Sequence, residues 1–208
     1  MLADSPALLS VNDAAAFELL ATGDGEVLRG LGDDRISEYM QAMQPATIEE
    51  FAILVSLAYC EVDDETIAEY CLRKRNAAAR NPPHPIAQSI LMESLGLIVY
   101  REQIVDILCA TGFSRPAAAR ICQTFVTSAP DDFRRTILGC EHVFRAGKCG
   151  IPGDETVALL ELLECRARHV WRRDKAMEKA VTLYWRAYEK AHFPGSFVAE
   201  ETAGWEDG

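Results

Sequence analysis

At 208 residues the chain is long enough to bury one sizeable core, with or without a small appendage, and its 49% hydrophobic, 25% charged composition is that of a folded soluble domain. No apolar run approaches the roughly 20 residues that cross a bilayer, and no basic-then-apolar leader is visible, so a cytoplasmic location is expected rather than membrane insertion or export. The net charge of −11 argues against broad nucleic-acid coating, because phosphate binding depends on cationic neutralisation.

The signals along the chain are helical. Ser5 and Pro6 predict an N-cap followed by a first-turn proline. Asn12 and Asp13 predict the cap of a helix whose body is Ala14 to Ala21, ended by Gly23 and Gly25. Ile36, Tyr39, Met40 and Met43 recur at three-to-four spacing and predict an amphipathic helix over 33–43. Thr47 and Glu50 form a capping-box pattern before Phe51, Leu54, Val55 and Leu57, and that helix is apolar enough to be central. Asp63 starts a further helix through Ile67, Tyr70 and Cys71 to Arg73, Lys74 and Arg75.

Asn81-Pro82-Pro83-His84-Pro85 is the strongest breaker in the sequence. It predicts an acidic helical part at 1–80, a connection at 81–85, a second helical part at 86–199 and a frayed tail at 200–208. After it the pattern predicts Ile86–Ser94, a turn at Gly96 and a helix over Val99–Cys109. Gly112-Phe113-Ser114 closes that helix, and Ser114 is placed to cap Ala117–Thr127. Pro130 opens Asp131–Phe144, a turn-rich loop spans 147–153, and Asp154 is placed to cap Val157–Leu163. The last long helix runs from Arg172 to Ala191 and stops at Phe193-Pro194-Gly195. No stretch alternates apolar and polar residues over a strand length, and Leu97 to Tyr100 is the only short candidate. The expected fold is all-α, a single compact multi-helix domain that allows two helical subdomains.

Charge is unevenly spread. Residues 1–70 carry fifteen Asp and Glu against Arg29 and Arg35, a net of −13, whereas 166–190 carry a net of +5. Arg166, Arg168, Arg172, Arg173, Lys175 and Lys179 therefore form a candidate phosphate-contact surface, although a run of this kind ordinarily marks a solvated helix face. The interleaved Trp171, Tyr184, Trp185 and Tyr188 fit core and rim packing better than base-stacking platforms.

Recognisable chemistry is sparse. There is no nucleophile elbow, phosphate-cradling glycine loop or metalloprotease helix. The seven cysteines are widely spaced, with no C-x-x-C pair, and the four histidines lack zinc-ligand spacing. The cysteines read as small buried hydrophobes in a reducing compartment, and neither a metal nor a cofactor is expected. Asp33-Asp34 and Asp63-Asp64-Glu65 are the best carboxylate pairs for magnesium, yet each lies at an expected helix start, where acidic residues favour the dipole. Tyr100 and Gln103 are polar residues in an apolar helix and predict a buried hydroxyl and amide satisfied by nearby backbone.

The order of several segments carries a resemblance. Phe17-Glu18-Leu19-Leu20, Gly23 and a helix ending Met43-Gln44-Pro45 resemble the start of the fingers region in the alpha subunit of bacterial DNA polymerase III. Glu49-Glu50-Phe51 through Leu57-Ala58-Tyr59 is similar to that family's next apolar helix. The clearest match is Gly96-Leu97-Ile98-Val99-Tyr100-Arg101-Glu102-Gln103-Ile104, in which Gly96, Tyr100, Glu102 and Gln103 fit the family's pattern, followed by Gly112-Phe113-Ser114. Gly150-Ile151, then Lys190-Ala191-His192-Phe193-Pro194 with Phe197, resemble the later loop and closing helix. The collinear matches run from about residue 17 to 199, with Lys190, His192 and Pro194 as the last motif.

The departures bear on function. The resemblance implies that catalytic aspartates belong to a preceding palm domain, which the segment before residue 17 is too short to hold. It also implies paired arginines, a glycine and lysines that handle a nucleoside triphosphate just after Gly112-Phe113-Ser114. Here the corresponding run is Arg120-Ile121-Cys122-Gln123-Thr124-Phe125-Val126-Thr127-Ser128, with the charge largely gone. Cys60-Glu61-Val62-Asp63 replaces the family's Arg-Pro-Gly-Pro, and Trp171-Arg172-Arg173-Asp174-Lys175-Ala176 replaces its Phe-Asn-Lys-x-His-Ser. A site for a tetra-anionic ligand does not readily lose its cations. The expectation is a non-enzymatic, protein-binding module joining or regulating a replication or repair assembly. The alternative is direct DNA binding through 166–190, and a homodimer through apolar helices that have lost their neighbours is a further expectation.

Overall fold

A computed structural model of the chain describes residues 11–29, 31, 35–60, 62–76, 84–127, 135–136, 138–140, 151, 153–167 and 169–197. Ser5-Pro6, Asp33-Asp34, Asn81-Pro82-Pro83, Pro130 and most of the helix expected after it, nearly all of the 147–153 loop, Arg168 and the 200–208 tail lie outside the described residues. The fold is all-α, and the described residues contain no strand, only an isolated parallel bridge between Tyr100 and Trp171. The chain divides into two compact units, one formed by 1–58 with 174–208 and the other by 59–173. The boundaries fall within two helices, and the proline-rich stretch at 81–85 lies within the span of the second unit.

The first unit holds α1 (Ala14–Ala21), α2 (Ile36–Met43), α3 (Ile48–Tyr59) up to Ala58, and α9 (Arg173–His192) from Asp174 onward. Asp13 caps α1 as expected, its Oδ1 accepting from Ala16 N at 2.8 Å. The helix ends at Gly23, whose φ of +74° suits a residue without a side chain. Close approach adds a second reason, since a Cβ there would lie 2.6 Å from Ser37 O. Ser37 Oγ donates to Gly23 O at 2.7 Å, so the end of α1 is fastened to α2. Ile36, Tyr39, Met40 and Met43 are all buried, as their spacing predicted. Thr47 Oγ1 accepts from Glu50 N, and the Glu50 carboxylate accepts from Ala46 N at 2.8 Å. Every residue from Phe51 to Ala58 is buried, which makes α3 the central helix its composition foretold. In α9 the buried stripe Ala176, Ala180, Leu183, Tyr184 and Ala187 follows the helical period.

The second unit holds α4 (Asp64–Arg75), α5 (Pro85–Gln88), α6 (Arg101–Ala110), α7 (Arg115–Thr127) and α8 (Gly153–Arg166). Asp63 caps α4 by accepting from Thr66 N at 2.7 Å, with Asp64 and Glu65 in the first turn and three cations in the last. His84 caps the short α5 through Nδ1, which accepts from Ile86 N at 3.0 Å, and its Nε2 lies 2.9 Å from Glu155. The core is built on Leu91, Ile98, Ile104, Ile107, Leu108, Phe125, Leu159 and Leu163.

Three helix boundaries differ from those expected. The helix predicted over Ile86–Ser94 is one turn, α5, followed by successive turns to Gly96. The helix predicted from Val99 begins at Arg101, because Val99 and Tyr100 give their N–H groups to a side chain. Asp154 lies inside the first turn of α8 rather than before it, since that helix already starts at Gly153.

Candidate functional site

The glycine-to-glutamine motif in the second unit folds into a polar knot. Gly96, at φ +87°, ends a reversal in which its N–H donates to Leu91 O at 2.7 Å. Ser94 Oγ donates to Leu97 O at 2.6 Å and accepts from Gln103 Nε2 at 2.8 Å. Gln103 Oε1 accepts from both Val99 N, at 2.8 Å, and Tyr100 N, at 3.0 Å. At 1% exposure its amide thus satisfies two buried N–H groups and reaches a third partner. Glu93 also lies within reach of Gln103 Nε2.

The knot extends to the segment before α9. Arg101 N donates to Trp171 O at 2.9 Å, beside the Tyr100–Trp171 bridge. Glu102 accepts from Arg173 N at 3.0 Å, so a carboxylate from α6 caps the start of α9. The Arg173 guanidinium pairs with Glu93 and lies 5.1 Å from the Tyr100 ring centroid. Trp171 stacks on Tyr59 at 4.0 Å between centroids. Gly112 lies at the far end of α6, where Phe113 N closes the helix onto Leu108 O.

This geometry divides the candidate phosphate-contact set. Arg166 reaches Thr66 Oγ1 at 2.8 Å, and Arg173 is held by Glu93 and Tyr100. Lys175 pairs with Glu178 at 3.0 Å. Lys179, expected on the basic face, is instead buried at 2% exposure, and burial lowers its ammonium below the usual lysine range. Arg172 is exposed. Arg166, Arg172 and Arg173 belong to the second unit, Lys175 and Lys179 to the first.

In the first unit the other motif residues meet the N-terminal segment. Lys190 Nζ lies 2.7 Å from Asp24 and 2.6 Å from Glu26. Arg186 donates to the carbonyls of Glu26 and Arg29. His192 Nε2 lies 3.0 Å from Asp13 Oδ1, and Asp13 N donates to the Tyr184 hydroxyl at 2.8 Å. Burial raises the Asp24 carboxyl, but hydrogen bonds from Lys190 and the backbone N–H groups of Val27 and Glu26 bring it below the usual range. The hydrogen bond from His192 lowers Asp13 likewise. Pro194 lies in the exposed turn after α9.

Reactive chemistry is not assembled in these contacts. Among the described residues no group of three or more His, Cys, Asp or Glu is placed to hold a metal ion. Burial pushes the Cys122 thiol up to about 11 and the Cys140 thiol to about 12, which leaves them protonated and unreactive at neutral pH. The charges of α7 are Arg115, paired with Asp106 at 2.6 Å, and exposed Arg120, while Cys122 and Phe125 turn inward.

The family model of the bacterial DNA polymerase III alpha subunit finger domain matches residues 4–135. The chain belongs to that family. This finger domain is 27% identical over 194 residues to a DNA polymerase III subunit alpha from Halalkalibacterium halodurans, covering 92% of the chain and 17% of the relative. It is 27% identical over 198 residues to the corresponding subunit of Thermus aquaticus, covering 92% and 16%. The match to the subunit of Staphylococcus epidermidis is 28% over 192 residues, covering 90% and 18%. The finger domain thus spans roughly a sixth of the length of these relatives.

The motif residues were legible in the sequence, but their partners were not. Glu93 for Arg173, and Asp13, Asp24 and Glu26 for His192 and Lys190, are 80 to 179 residues away. No periodicity connects positions so far apart. The usable signal was weaker: Asp13 reads as a cap, and the same Oδ1 that accepts from Ala16 N also meets His192 Nε2.

Proposed function

We propose that this finger domain is a non-catalytic protein-binding module that joins or regulates a DNA replication or repair assembly. The observation that supports this reading most directly is the surface of α7. Where the resemblance implies a cationic cradle for a triphosphate, α7 carries two arginines, one engaged by Asp106. Four negative charges require more than one unengaged cation to hold them in place. The acidic first 70 residues, with Glu18, Glu38 and Glu49 exposed, suit a partner with a basic surface. The partner class is a replication protein, in line with the polymerase subunits to which the chain is similar.

Two measurements test this. Mixed with primer–template DNA, magnesium and deoxynucleoside triphosphates, the chain is expected to extend nothing and to gain no nucleotide-dependent thermal stability. Used as bait in extract of its own host, it is expected to retain a replication protein, and the triple variant Glu18→Gln, Glu38→Gln, Glu49→Gln is expected to lose most of it. Primer extension, or equal capture by wild type and variant, overturns the reading. Binding to DNA at about 50 mM salt that fails on neutralising Arg172, Arg173 and Lys175 would favour the direct DNA-binding alternative. The engagement of Arg173 and Lys175 with carboxylates speaks against that outcome.

A further inference from the structure

The end of α9 carries a groove of about 430 Å³ lined by Trp185, Tyr188, Glu189, Phe193, Ser196 and Phe197. Four of the six are aromatic. Trp185 and Tyr188 meet edge to face, 5.4 Å between centroids, and Phe193 is more than half exposed. Aromatic faces offer negative quadrupole to a cation, most effectively where water is thinned by neighbouring rings. The Phe197 wall already has one such contact, since Lys190 Nζ lies 5.5 Å from its centroid. That ammonium is matched by Asp24 and Glu26 together, two carboxylates for one cation. Glu189 lines the groove, is exposed, and among the described residues forms no ion pair.

We infer that this groove receives an arginine side chain from a basic segment of the partner, stacked against the aromatic walls with its guanidinium turned to Glu189. A planar guanidinium stacks on rings and offers a carboxylate two parallel N–H donors, a geometry that a compact ammonium does not match. Glu189 repels phosphate and carboxylate groups, and an apolar side chain would leave its charge without a partner. The inference rests on the reading of this domain as a module for a basic protein, and names the group that enters.

The test uses the full 15N-labelled chain and a capped tetra-arginine peptide. The indole N–H resonance of Trp185, assigned by its loss in Trp185→Phe, is expected to shift saturably. The affinity is expected to fall by about ten-fold or more in Glu189→Gln, the loss of one charge-assisted hydrogen bond. Because Phe193 is largely exposed, Phe193→Ser serves as a second variant that leaves the core alone and is expected to weaken binding similarly. The inference is overturned by no saturable shift, by undiminished binding in Glu189→Gln, or by an equal shift with tetra-alanine or with oligothymidine. A shift of the same resonance with the concentration of the chain alone would assign the groove to a second copy and overturn it as well. The two readings fail separately. Partner capture that depends on Glu18, Glu38 and Glu49 without a peptide shift sinks only the groove, whereas a peptide shift without capture sinks only the module.

Discussion

Gln103 shows how much one side chain can fix. A single buried amide accepts from two successive backbone N–H groups and donates to Ser94 Oγ, so replacing it strands several polar groups at once. Gln103→Leu, close to it in volume, is expected to cost about 2–4 kcal/mol in urea unfolding, from the usual penalty for each unsatisfied buried group. Asp24 makes a different kind of contribution. Its carboxyl lies below the ordinary range in the folded chain, so the folded state binds that proton less readily than the unfolded state. The stabilisation is fully present above the unfolded carboxyl range near about 4 and is lost as pH falls through the lower folded value. Asp24→Asn should therefore be less stable than wild type at neutral pH, by about 1–2 kcal/mol for a lost ion pair and turn cap, with the gap closing in acid. Unfolding curves taken across pH would check both the size and the direction.

Elements were more legible than their ends. Asp13, Asp63, and the Ile36, Tyr39, Met40, Met43 spacing announced α1, α4 and α2, because caps and periodicity are local properties of a helix. Val99 and Tyr100 were misread as helical because their N–H groups are taken by the side chain of a residue three or four positions on, a choice that propensity cannot foresee. His84 gave no cap signal, since imidazole is not a usual N-cap, yet its Nδ1 fills that role. Arg173 was legible as a charge, but not as an occupied one, because Glu93 is 80 residues away in sequence. Gly23→Ala must strain a positive φ and press a methyl against the Ser37 backbone, so a loss of about 2–4 kcal/mol is expected. Gly25→Ala, at a position with nothing within 4 Å, serves as the near-neutral comparison.

For the molecule as a whole, the decisive feature is that residues 11–58 and 174–197 build one unit although 115 residues intervene between its two spans. The sequence suggested two successive halves divided by a proline-rich stretch, and composition alone cannot show that a late helix joins an early bundle. Lys190 on Asp24 and Glu26, and Tyr184 on Asp13, tie the two spans. Leu54 is fully buried in that unit. Leu54→Ala, expected to cost about 2–5 kcal/mol, should lower amide hydrogen-exchange protection in α1–α3 and in α9 together. Loss confined to α1–α3 would contradict the shared unit.

The interleaving has a consequence for synthesis. On the ribosome, α1, α2 and the apolar α3 emerge long before α9, and must wait for it while the contiguous span 59–173 already has its complement of helices. The nascent chain therefore presents α1, α2 and α3 before their last partner helix exists, and a premature stop before Lys190 would release them without its ion pairs to Asp24 and Glu26.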